Sequence, residues 1–437
     1  MQAKRFFCIL TTYLISVVFN VCLANAHGLQ ESPSKPKNVI IMIGDGMGPA
    51  YTSAYRYFKD DPDTEEIEET VFDRLLVGTA STYPAKQSGY VTDSAAAATA
   101  LSSGIKTYNG AIGVDTNKQV VKTLLEIAKH RQMATGVVVT SQVNHATPAA
   151  FLTHNESRSN YDDIAKSYLT TNADVILGGG QRYFPESLRN KFNQKGYQYI
   201  DDISQLKLIT KPKVLGLFAD VQLPWAIDEP DAYNLSKMTE KALAILSQSS
   251  KGFVLLVEGS LIDWAGHDND IVAAMGEMNE FANAVEVVEQ FVRNHPDTLM
   301  IVTADHSTGG LTIGANGHHS WNADVLRKVS ASPSAIAAKI SNYEKNWQDI
   351  FINLIGFTPS EDEWKTLDIA REQNKDALVK VIKNLLNNKS NTGWTTDSHT
   401  GVDVQVFAAG AGARLFYGYQ DNTSIAKKIV SLLPAIK

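Results

Sequence analysis

An α/β fold, a three-layer sandwich with a large, mostly parallel central sheet flanked by helices plus a mainly helical insertion, is predicted by three observations. Short apolar runs alternate with helical patterns along most of the chain. Acidic residues follow several of those runs directly, and the alternation stops between 321 and 394, where helical patterns alone occur.

The apolar runs are Asn38 to Ile43, Gly136 to Thr140, Asp174 to Leu177, Lys213 to Ala219, Phe253 to Val257, Thr298 to Thr303 and Val404 to Ala409. They are continuous rather than alternating, which is the pattern of strands covered on both faces. Between them lie helical stretches such as Gln119 to Lys129, Ser236 to Leu246 and Ile271 to Asn294. Within 321 to 394 the helical patterns are Ser332 to Ile340, Tyr343 to Leu354, Glu361 to Arg371 and Lys375 to Asn387, read as an insertion forming a crown or lid. Asp60 to Glu69 reads as a solvated acidic loop.

The N-terminus has Lys4 and Arg5, an apolar run from Phe6 to about Leu23, and Ala24-Asn25-Ala26. That order predicts a signal peptide over 1–26, cleaved after Ala26, and a periplasmic or secreted catalytic domain over 27–437. No other stretch is long enough to span a bilayer. Cys8 and Cys22 both fall in the signal, so the mature chain has no disulfide to draw on. Removing Lys4 and Arg5 moves the formal charge from −7 to −9, against a nucleic-acid-binding surface.

Three carboxylates stand at the carboxyl ends of predicted strands, the edge where open α/β sheets bind ligands: Asp45 in Gly44-Asp45-Gly46, Glu258 before Gly259, and Asp305 in Ala304-Asp305-His306. Asp263 and His267 are four apart, so one helical turn faces both the same way. His306 adjoins Asp305, and His399 precedes the last predicted strand. Nitrogen and oxygen donors together suit zinc, with spare carboxylates and the Thr147 hydroxyl for a harder ion such as magnesium. In Asp93-Ser94-Ala95-Ala96-Ala97-Ala98, Asp93 reads as a helix N-cap and Ser94 as the first helical residue. The free N–H groups and macrodipole there would hold a phosphoryl oxygen and favour a serine alkoxide.

These residues resemble the alkaline phosphatase family. The resemblance runs from Asn38 to about Gly412 and rests on Gly44-Asp45-Gly46-Met47-Gly48, Thr92-Asp93-Ser94-Ala95, Ala146-Thr147-Pro148-Ala149, Glu258-Gly259-Ser260, Asp263 with His267, Thr303-Ala304-Asp305-His306 and His399-Thr400-Gly401. It implies one zinc on Asp263, His267 and His399, a second on Asp45, Asp305 and His306, and a magnesium on Asp45, Thr147 and Glu258. It further implies Ser94 as nucleophile and Arg158 as the phosphate clamp, whose planar fork grips two oxygens. The activity implied is hydrolysis of small phosphate monoesters with broad leaving-group tolerance through a phosphoserine, by a homodimer. His145 and Trp264 stand where the best-known enterobacterial members have Asp and Lys, and resemble instead a branch that includes enzymes of marine and cold-living bacteria. The resemblance places both beside the substrate, so that the exchange would bear on the third ion and on the grip on phosphate.

A sulfatase is disfavoured because Ser94 is followed by Ala95 and Ala96 rather than by the motif that matures to formylglycine. The remaining alternatives are a phosphodiesterase or other phosphoryl hydrolase of the same superfamily and an inactive secreted phosphate-binding protein.

Overall fold

The computed structural model describes residues 35–229, 233–343 and 345–434. The signal expected over 1–26 lies outside the described residues.

The strands in chain order are β1 (Asn38–Gly44), β2 (Leu76–Ser81), β3 (Ala134–Gln142), β4 (Val175–Gly179), β5 (Gln198–Ile200), β6 (Val214–Leu217), β7 (Phe253–Gly259), β8 (Thr298–Thr303), β9 (Ser307–Thr308), β10 (Thr312–Ile313), β11 (Thr392–Gly393), β12 (His399–Thr400), β13 (Val404–Gly410) and β14 (Gly418–Asp421). Ten of them form one sheet in the order β14-β2-β13-β8-β1-β7-β3-β4-β6-β5. Each predicted run lies within or across one of these strands. The sequence missed β2, β5 and β14, which are short, half-exposed or at the sheet edge, so they lack the continuous apolar pattern.

The sheet is parallel except for β13, which runs antiparallel to both β8 and β2. Its register places the site. In the centre, Ile43 of β1 pairs with Glu258 of β7 and Thr303 of β8. Asp45, Glu258 and Asp305 therefore emerge at one level. Because β13 is reversed, its start meets the ends of the parallel strands: Val406 pairs with Thr303. That brings His399, seven residues earlier, to the same edge, where β12 and β9 pair His399 with Thr308.

Every residue of β1, β7 and β8 is buried. Helices cover them, chief among them Ile271–Asn294, whose Phe281 packs 6.1 Å from Phe72, itself 5.6 Å from Phe407. Gln119 to Lys129 forms a helix only over Leu124–His130, because Thr123 and Glu126 make a reciprocal cap and Val114 bridges Val120 in a turn. The helix expected from Tyr343 spans Trp347–Ile355, since Asn346 at φ 62° cannot continue a right-handed helix. The stretch from 321 to 394 also holds a short helix, Ala323–Arg327, and the helices Pro333–Ser341, Glu361–Gln373 and Lys375–Ser390. Its ends meet where Trp321 Nε1 donates to Thr392 Oγ1 at 2.9 Å and β11 pairs with β10. No helix among the described residues is long and apolar enough to cross a membrane.

Candidate active site

Ser94 opens the Ser94–Ser103 helix, whose alanine-rich sequence favours helix and whose cap is Asp93, accepting from Ala96 N at 2.9 Å. Ser94 is buried, and its Oγ lies 3.2 Å from His306 Nε2. Asp93 does more than cap. Its Oδ2 accepts from Gly110 N at 2.9 Å and from Arg158 Nη1 at 3.1 Å, tying the Arg158 loop to the start of the serine helix. Burial lowers the guanidinium pKa of Arg158, but the Asp93 charge beside it outweighs this and keeps it above its ordinary value.

Asp263 and His267 share the helix Leu261–His267, and His399 joins them from β12. His267 Nδ1 meets Asp397 O at 2.6 Å and His399 Nδ1 meets Thr92 O at 2.9 Å. A carbonyl only accepts, so each Nδ1 carries the hydrogen and each Nε2 presents its lone pair. The two Nε2 atoms face each other at 3.1 Å, with Asp263 oxygens 3.3 and 3.5 Å away. Two converging lone pairs and a carboxylate form a cation site. A proton competes for the same lone pair: the hydrogen bond to Asp263 pushes the imidazole pKa of His267 up to about 9.

The second set is packed against the first. His306 Nε2 lies 3.1 Å from Asp305 and 3.5 Å from Asp45, all three fully buried. Gly46, at φ 75°, permits this closeness: a Cβ there would stand 2.8 Å from Asp263 Cα and from Thr308 Oγ1.

Asp45 also meets Glu258, and the structure adds His145, absent from the predicted ligand sets: one donor atom from each of Asp45, His145 and Glu258 lies within 4.8 Å of the others. Both oxygens of Asp45 and of Glu258, and Thr147 Oγ1, are buried without a hydrogen-bond partner. Burial, then the charge of Asp305, pushes the Glu258 carboxyl up to about 8 and the Asp45 carboxyl well above the usual range. Orphaned buried carboxylates of this kind fit a divalent cation with oxygen ligands.

Arg158 Nη2 lies 3.1 Å from His145 Nε2, and Trp264 packs edge-on to the His145 ring at 6.0 Å between centroids. Every predicted site residue but Thr147 is thus tied into one cluster at the carboxyl edge of the sheet; Thr147 lies two residues beyond His145, in the first turn of the buried helix Ala146–Leu152. Missed by sequence were Thr308, whose Oγ1 meets Asp263 Oδ1 and His306 Nδ1, and Tyr51, whose hydroxyl donates to Thr308 O. The available signal was weak: Thr308 is simply two residues beyond His306.

The family model described as alkaline phosphatase matches residues 36–434. The chain belongs to the alkaline phosphatase family. Alkaline phosphatase 3 of Bacillus subtilis is 45% identical to it over 411 residues, covering 91% of this chain and 89% of that protein. The crystal structure of a cold-active alkaline phosphatase from the psychrophile Shewanella sp. matches with a TM-score of 0.90 at 62% identity, covering 91% of this chain and 100% of that one. A variant of the alkaline phosphatase of the Antarctic bacterium TAB5, with one histidine replaced by glutamate and magnesium bound in its M3 site, matches with a TM-score of 0.70 at 28% identity, covering 92% and 99%. As an alkaline phosphatase, the chain is a phosphoric monoester hydrolase.

Proposed function

We propose that the protein hydrolyses phosphate monoesters through a phosphoserine on Ser94, with two zinc ions and one magnesium ion. Asp263, His267 and His399 would hold one zinc, Asp45, Asp305 and His306 the other, and Asp45, Thr147 and Glu258 the magnesium. Bound there, the ions would supply positive charge and Lewis acidity at the attacking and leaving oxygens. Ser94 Oγ attacks phosphorus and the alcohol departs; water then displaces the serine in a second in-line step, releasing inorganic phosphate and restoring the hydroxyl. Arg158, held by Asp93, grips two phosphoryl oxygens, and the free N–H groups of the serine helix add to that grip.

The observation that carries this reading is the placement of Ser94 Oγ 3.2 Å from His306 Nε2, a member of one of two nitrogen and carboxylate groups that share Asp263: Asp45, Asp263 and His306, and Asp263, His267 and His399. This scheme assigns no residue to the leaving group, which favours broad leaving-group tolerance. Hydrolysis of p-nitrophenyl phosphate with and without chelator, together with metal analysis of the purified protein, tests it. Two zincs and one magnesium per chain are expected, and activity that survives verified metal removal would refute it.

A zinc in the third site is a second reading, favoured by the presence of His145 among its residues. The contact with Arg158 speaks against it: a guanidinium only donates, so His145 Nε2 must accept, and Nδ1 then carries the hydrogen and cannot ligate. Three zincs per chain would reverse this assignment.

We further propose that residues 1–26 are a signal delivering a mature chain that begins at His27 to the periplasm or exterior, which N-terminal sequencing checks. A homodimer is proposed as well. The edge strand β14, with Tyr419 exposed on it and Tyr417 exposed just before it, offers such a dimer a surface, and light scattering measures the oligomeric state.

A further inference from the structure

Thr308 belongs to none of the proposed ligand sets, yet it touches two of them. Its Oγ1 lies 2.5 Å from Asp263 Oδ1 and 3.3 Å from His306 Nδ1, and the side chain is fully buried. The backbone allows it little freedom. Thr308 N donates to Gly46 O at 3.1 Å, Thr308 O accepts from the Tyr51 hydroxyl at 2.8 Å, and the residue is paired across β9 and β12 with His399. Tyr51 is itself fully buried.

A hydroxyl has one hydrogen to give. Asp263 faces the Nε2 atoms of His267 and His399 with its two oxygens and acts there as a carboxylate, so its Oδ1 can only accept. The Thr308 hydrogen therefore goes to Asp263, and the lone pair left on Oγ1 requires a hydrogen on His306 Nδ1. His306 is thereby fixed in the tautomer that leaves Nε2 bare, and Nε2 is the atom facing Asp305, Asp45 and Ser94.

We infer that Thr308 is a positioning residue, a hydroxyl relay running from His306 Nδ1–H through Oγ1–H to Asp263 that orients one ligand of each zinc set and couples the two. The inference rests on the zinc reading proposed above. It makes the two sites one unit: loss of the ion from the Asp263 set should loosen His306 and weaken the other set.

The test uses the purified mature protein with Thr308→Val, which keeps the shape and removes the hydroxyl, and Thr308→Ser, which keeps the hydroxyl and removes the methyl. Zinc content is measured after equilibration against graded chelator, with circular dichroism to verify folding. Thr308→Val should bind zinc ~10–100-fold more weakly, as loss of an outer partner of a ligand typically does. Thr308→Ser should retain zinc like the parent. Equal retention by Thr308→Val would overturn the relay and leave the zinc reading standing. Should Thr308→Val not fold, Thr308→Ala, which also removes the hydroxyl, takes its place: weaker zinc than in Thr308→Ser supports the relay, and retention equal to that of Thr308→Ser overturns it. A parent protein that holds no zinc would overturn both.

Discussion

Arg158 Nη2 and His145 Nε2 stand 3.1 Å apart, a donor meeting an acceptor, which fixes His145 as neutral. Burial, reinforced by the Arg158 charge, pushes the His145 imidazole down to about 3. His145 thus orients the clamp without adding charge to the phosphate site, and Trp264, edge-on beside it, adds none either.

Restoring a cation at Trp264 should tighten phosphate. A unit charge ~6 Å from a phosphoryl charge is worth roughly 0.7 kcal/mol in water and about 3 kcal/mol at an effective dielectric near 20. Trp264→Lys is therefore expected to lower the inhibition constant for inorganic phosphate several-fold, more at low salt, and to slow turnover where product release limits it. Unchanged inhibition with a lowered melting temperature would show that Trp264 serves packing instead.

Ser94→Ala should remove most turnover and leave metal content intact, because Ser94 touches His306 but belongs to no ligand set. Trapping of phosphoenzyme with labelled substrate should succeed in the parent and fail in the variant. Near-normal turnover in Ser94→Ala would reject the phosphoserine route.

Chelation should lower the melting temperature as well as activity, and more at pH 9 than at pH 6. Without ions, Glu258 titrates near 8 in the folded chain and near 4.5 unfolded, so its proton stabilises the fold at low pH and that contribution is lost as pH rises through about 8. The proton on His267, held to about 9, is lost in the same direction. A melting curve unchanged after verified metal removal at pH 9 would contradict this.

Glu277 carries a separate pH dependence. Burial pushes it up to about 8, while its Oε1 accepts from Ala226 N at 2.8 Å. Stability from the protonated form is complete below the unfolded value near 4.5 and lost as pH rises through about 8. Glu277→Gln keeps the acceptor and cannot ionise. It should leave the melting temperature near the parent value at pH 5 and raise it at pH 9; equal shifts at both pH values would show that charge is not the cause.

The sequence by itself determined the sheet centre, because β1, β7 and β8 are covered on both faces and must be continuously apolar. It also determined the start of the serine helix, since Asp93 caps locally, and the pairing of Asp263 with His267, since four residues make one helical turn. The family was legible from motifs in order along the chain. Only the tertiary structure decided that β13 runs antiparallel, which carries His399 to the carboxyl edge, because direction in a sheet is set by neighbours and leaves no local pattern. It alone placed Thr308 between Asp263 and His306, and set His145 between Arg158 and the pair Asp45 and Glu258. Those contacts join residues as far apart in the chain as His145 and Glu258, through register and burial that no short stretch of sequence encodes.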